Sequence, residues 1–150
     1  MEKIRIMLVD DEDRYLQTTK KMIEKKGIKV LTAQSGAEAL ETLKFQNVDV
    51  VILDVKMPGM DGNQTLKAIK TLYPLVQVIM LTGHGTMDSA IDGLKSGAFD
   101  YLVKPMDVDD IMEKIRAAYE KRLEHETKIR IAQSKKYMKS PREILKDNGD

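Results

Sequence analysis

Val48-Asp49-Val50-Val51-Ile52-Leu53-Asp54-Val55-Lys56-Met57-Pro58-Gly59-Met60-Asp61-Gly62 reads as a buried strand that stops at a carboxylate and enters a turn. Residues 48–53 are the most apolar of the strand candidates and are rich in β-branched side chains. That pattern suits a central strand covered on both faces. From Asp54 to Gly62 the chain is dense in Pro, Gly and Asp, the residues that set turn geometry.

Upstream, residues 4–9 form a second apolar run that ends in the acids Asp10 to Asp13. Tyr15, Leu16, Thr19, Met22 and Ile23 then recur at helical spacing, and Gly27 stands where a helix end takes a left-handed residue. Residues 28–33 predict another strand. Ser35 with Glu38 has the form of a capping box, ahead of a helix face made by Ala39, Leu40 and Leu43.

Downstream, Leu66, Ile69 and Leu72 mark a helix, and residues 76–81 a strand that gives way to a loop from Thr82 to Gly85. Ala90, Ile91 and Leu94 mark the next helix, ended by Gly97. Residues 99–103 make the last strand, stopped by Lys104-Pro105. Asp107 caps a final helix carrying Ile111, Ile115 and Ala118. Strand and helix alternate throughout, which predicts an α/β fold, a doubly wound parallel sheet with helices on both faces. Right-handed crossovers leave few topologies open.

The composition agrees with one domain and an appendage: 150 residues, 42% hydrophobic and 33% charged, with net charge +1. Such a balance supports a real core and gives no overall field for nucleic acid or membrane. No cysteine is present, which removes disulfides and thiolate metal sites. No apolar run reaches bilayer length, and the acids after residue 9 do not fit a secretory signal, so a cytoplasmic protein is expected. Charge is uneven: residues 121–150 hold nine basic and five acidic residues, a net of +4, while the rest is net −3.

In an open parallel sheet, ligands bind beyond the carboxyl ends of the strands. The predicted strands end at Asp10 and Asp11, at Asp54, at Thr82 and at Lys104. Clustered carboxylates repel and need a cation. Mg²⁺ is hard, favours oxygen and uses one or two carboxylates together with phosphate oxygens. A carboxylate can attack an incoming phosphoryl group, and that group's equatorial charge needs a positive partner and a donor. Lys104 and Thr82 supply them.

These residues resemble the receiver domain of two-component response regulators. The matching pieces are Asp10-Asp11, Asp54 with Met57-Pro58-Gly59-Met60-Asp61-Gly62, Thr82-Gly83, and Tyr101 to Lys104-Pro105. The stretches 81–86 and 97–101 are most similar to receivers attached to AAA+ transcriptional activators. The resemblance covers about residues 1–121 and implies a flavodoxin-like five-stranded sheet of order 2-1-3-4-5. It implies Asp54 as phosphoacceptor. Asp10, Asp11, Asp54 and the Lys56 backbone carbonyl are implied as ligands of Mg²⁺, with Mn²⁺ as a substitute. Thr82 and Lys104 are implied as phosphoryl contacts, Tyr101 as the aromatic that follows Thr82, and a cis bond before Pro105. The positions of Lys56 and His84 are implied to tune the lifetime of the phosphoryl group by hindering water. The implied donor is a sensor histidine kinase or phosphotransfer protein. The implied output is a change in the face of helix four, strand five and helix five, acting through a protein target, a relay or a homodimer. No enzymatic turnover beyond self-catalysed phosphotransfer and slow autodephosphorylation is implied.

Two other classes compete. An aspartyl-phosphate phosphohydrolase carries a second acid two residues after its nucleophile; Lys56 stands there and Asp10-Asp11 would go unused. A flavodoxin-type nucleotide module needs a glycine-rich loop after strand one, where this chain has acids. Single residues have plainer readings. Asp10 to Asp13 alone suit a helix start, Met57, Met60 and Met80 suit a core, and His84 suits an exposed loop rather than a metal site. Residues 122–150 read as a basic extension, helical or partly disordered, with apolar positions too sparse for a heptad seam. No helix-turn-helix pattern occurs, so direct DNA binding is not expected.

Overall fold

The structure, a computed structural model, describes residues 3–137. The elements alternate as β1 (Arg5–Val9), α1 (Asp13–Glu24), β2 (Lys29–Ala33), α2 (Gly36–Leu43), β3 (Val50–Asp54), α3 (Gly62–Leu72), β4 (Gln77–Thr82), α4 (Met87–Lys95), β5 (Asp100–Val103) and α5 (Val108–Tyr137). The five strands are parallel and lie in the order β2-β1-β3-β4-β5. This is the flavodoxin-like arrangement, and β3 is central with every residue buried.

Side chains alternate across β3 and so feed two cores. Val51 and Leu53 join Leu66, Ile69 and Ala90 beneath α2, α3 and α4. Val50 and Ile52 join Leu16, Ile23, Ile111 and Ile115 beneath α1 and α5. Local signals fix the helix starts. Ser35 Oγ accepts from the Glu38 amide at 3.1 Å, but the Glu38 carboxylate reaches back to the Gln34 amide rather than closing a box on Ser35. The closed capping box is at α3, where Asp61 and Gln64 exchange both bonds. Asp107 accepts from the Asp109 amide at 3.2 Å at the start of α5.

Three further sequence expectations need correction. The stretch after β4 is a loop only at Gly83, because residues His84–Thr86 close one 3₁₀ turn that leads into α4. Leu72, Ile91 and Leu94 are exposed rather than core. Leu72 ends α3, and α4 instead packs through Ala90 and Gly93, where an added Cβ would come within 3.1 Å of Met80. Small residues there let the helix approach the sheet and turn its larger side chains outward. Of the methionines, Met57 and Met80 are buried but Met60 is exposed.

The helix α5 passes residue 121 without a break and reaches Tyr137. Arg122 ties it to the sheet. Its Nη1 donates to the Val48 carbonyl at 3.0 Å, and its Nε lies 3.3 Å from Asp49 and 2.9 Å from Glu126. Asp49 is buried and also accepts from the Arg5 amide at 2.9 Å. Removing one partner of a buried pair leaves the other charge poorly compensated. Arg122→Ala is therefore expected to lower stability in urea unfolding by about 1–3 kcal/mol. An unchanged unfolding midpoint would show that this tie contributes nothing. Beyond Glu126, residues 127–136 are all exposed. Residues 138–150, the rest of the expected extension, lie outside the described residues.

Candidate functional site

Parallel pairing brings the strand ends to one edge. Asp54 is the last residue of β3 and pairs in register with Leu81, so Thr82 at the end of β4 stands beside it. Asp10 follows β1 and is held by its amide on the Ala33 carbonyl at 3.1 Å. Lys104 follows β5, its amide bonded to the Thr82 carbonyl at 2.7 Å. The Lys104–Pro105 peptide is cis.

Asp10, Asp11 and Asp54 each offer an oxygen within 4.8 Å of the others. Asp10 is 1% exposed and Asp54 8%. Asp10 accepts from the Glu12 amide at 3.0 Å and pairs with the Lys104 ammonium at 3.2 Å. Among the described residues, the hydrogen bond that Asp54 accepts is a long one from the Lys56 amide, at 3.4 Å. Burial, and then the neighbouring Asp10 charge, push the Asp54 carboxyl up to about 6. Lys104 moves the other way from what burial alone dictates: burial opposes its charge, but Asp54 and Asp10 together hold its pKa above the usual lysine value. Two carboxylates next to one ammonium leave negative charge in excess, which is the condition that a hard cation relieves.

The site opens to a cavity of about 630 Å³ lined by Asp11, Asp54, Lys56, Gly83, Thr86 and Lys104 among others. Thr82 is fully buried behind it. Tyr101 is half-buried on β5, opposite Met80, and packs against the α2–α4 core. Lys56 is exposed on the cavity wall. The side chain of His84 lies outside the described residues.

Three contributors stood in the sequence only as parts of a motif or a helix face, with no role at the site. Tyr15, read only as a helix face, sits with its ring centroid 4.3 Å from the Lys104 ammonium, a distance at which the ring's negative face attracts the cation. Thr86 bonds to the Thr82 hydroxyl; its signal was a second hydroxyl one turn further on. Gly62 has no room for a side chain, since an added Cβ would lie 2.5 Å from the Asp54 carbonyl oxygen.

A doubly wound sheet with this acid cluster and a lysine at its carboxyl edge defines a class, the α/β modules that carry an all-oxygen acidic site at the strand ends. Residues 6–116 match the response regulator receiver domain, and the chain belongs to that family. Receivers of this family are the phosphoaspartate, Mg²⁺-dependent modules of two-component signalling. The chain is 39% identical over 124 residues to the transcriptional regulatory protein ZraR of Escherichia coli (strain K12), covering 83% of this chain and 27% of that one. It is 36% identical over 118 residues to the DNA-binding transcriptional regulator NtrC of the same organism, covering 79% and 25%. A receiver domain protein from Clostridium thermocellum superposes with TM-score 0.76 at 41% identity, over 79% of this chain and 96% of that chain. The chain thus spans about a quarter of the curated relatives it matches.

Proposed function

We propose that this receiver accepts a phosphoryl group onto Asp54 from the phosphohistidine of a sensor histidine kinase or phosphotransfer protein. The carrying observation is the convergence of Asp54, Asp11 and Lys104 on one open cavity, with the buried Asp10 against Lys104 behind them. An Asp54 carboxylate oxygen attacks phosphorus, the bond from phosphorus to the donor imidazole nitrogen breaks, and the electron pair leaves with that nitrogen. Lys104 lies close enough to Asp10 and Asp54 to shift toward a phosphoryl oxygen. Thr82 offers a hydroxyl donor to another. Both act where charge gathers during transfer.

The donor set is all oxygen and fits Mg²⁺, or Mn²⁺ in its place. Asp10, Asp11, Asp54 and the Lys56 backbone carbonyl would hold it. When bound, the metal neutralises oxygen charge on the carboxylates and the phosphoryl group. Lys56 and His84 are assigned the tuning of dephosphorylation, by crowding the approach of water. The output is a population shift in the face of α4, β5 and α5, followed by Tyr101 and read by a protein target, a relay partner or a second copy. Direct DNA binding is not assigned to this chain. Residues 1–121 are taken as the receiver unit and 122–150 as a basic extension. A phosphohydrolase finds no support, because Lys56 occupies the position of the second acid.

Acetyl phosphate with Mg²⁺ tests the reading by intact mass. The expected result is one phosphoryl adduct per chain, lost when EDTA replaces Mg²⁺. Continuous hydrolysis of many phosphoesters without an adduct would instead mark a phosphatase.

A further inference from the structure

The Thr82 hydroxyl is already engaged in the unmodified protein. It lies 3.0 Å from the Gly83 carbonyl and 2.5 Å from the Thr86 hydroxyl. Thr86 in turn accepts from the Gly83 amide at 3.1 Å and lies 3.2 Å from the Gly83 carbonyl. The four groups form a closed ring across the 3₁₀ turn His84–Thr86. Thr86 lines the cavity at Asp54, whereas Thr82 is fully buried behind it. A hydroxyl has one hydrogen to donate. While Thr82 gives it to Thr86 or to Gly83, it has none for a group on Asp54.

We propose that Thr86 is a positioning residue that holds the Thr82 hydroxyl turned from the acceptor, so that an incoming phosphoryl oxygen must compete with Thr86 for it. The inference rests on Asp54 as acceptor. Its physical content is an exchange of one buried hydrogen bond for another, and the net value of such a bond sets the scale. Removing the Thr86 hydroxyl takes away the nearer of the two partners and leaves Thr82 only the Gly83 carbonyl at 3.0 Å, which loosens its hold and favours the state that phosphorylation selects. Serine keeps the hydroxyl and the ring, so Thr86→Ser behaves as the original chain.

The test uses the full chain with Thr86→Val, Thr86→Ala and Thr86→Ser. Intact mass follows the initial rate of adduct formation with acetyl phosphate and Mg²⁺, and NMR follows the Thr82 methyl signal before and after phosphorylation. Thr86→Val and Thr86→Ala are expected to take up phosphoryl about fivefold faster, the scale of one net hydrogen bond. Their unmodified Thr82 signals are expected to move toward the phosphorylated position, while Thr86→Ser stays with the parent in both readouts. Rates and Thr82 signals unchanged in both Thr86→Val and Thr86→Ala would overturn the proposal. So would the same acceleration in Thr86→Ser, since loosening of the turn would then be the cause. The absence of any adduct in the parent chain is a different outcome, which removes the acceptor reading itself and this inference with it.

Discussion

Asp54→Asn is expected to stabilise the unmodified protein near neutral pH in the absence of divalent cations, by about 2–3 kcal/mol. The reason lies in the site and not in the fold. Asp54 is 8% exposed and faces Asp10, and its carboxyl is pushed from the ordinary 3.8 up to about 6. Between those two values the folded chain keeps a proton that the unfolded chain has lost. Stability therefore falls as pH rises through that window, and the penalty stays constant above it. Asparagine carries no charge and escapes the penalty. The difference between the two proteins should be largest above the window and vanish below it. Urea unfolding across that range measures it, and added Mg²⁺ should narrow the gap by stabilising only the carboxylate form. Equal stability of the two proteins at every pH would contradict the buried, cation-demanding reading of the site.

Gly62→Ala carries the other large effect. A Cβ there would lie 2.5 Å from the Asp54 carbonyl oxygen, 2.7 Å from the Val55 Cα and 2.9 Å from the Val55 carbonyl oxygen. All three are backbone atoms, so no flexible side chain can yield. The Gly62 amide also bonds to the Val55 carbonyl at 3.0 Å, fixing the approach of α3 to the end of β3. The methyl must push that helix away, with a loss of about 3 kcal/mol by analogy with overpacked cores. Phosphoryl uptake should fall too, because the turn carries Asp54 and Lys56. Gly85→Ala is the control: its added Cβ meets nothing within 4 Å. A Gly62→Ala protein as stable as the Gly85→Ala control would show that the close approach is not needed.

The sheet was legible because every strand in it is short, apolar and bounded by turn formers, and because each crossover helix carries a clear apolar face. Legible too were the residues at the strand ends, since topology alone sends Asp10, Asp54, Thr82 and Lys104 to one edge. What sequence could not supply was pairwise geometry. Tyr15 lies on α1 with the spacing of a core residue, and only the packing of α1 beside β1 brings its ring to Lys104. Ile91 and Leu94 have helical periodicity, yet α4 buries Ala90 and Gly93 in their place. Periodicity marks an apolar stripe but not which edge of it faces the sheet. The tie from Arg122 to Asp49 joins residues distant in sequence and leaves no local signal.

The most direct test maps the modified residue. The chain is treated with acetyl phosphate and Mg²⁺, the acyl phosphate is trapped by borohydride reduction, and the peptides are read by mass spectrometry. One reduced residue at Asp54, with no adduct on the Asp54→Asn protein, is the predicted result. Modification at another acid, or equal uptake by Asp54→Asn, would contradict the assignment of Asp54 as acceptor.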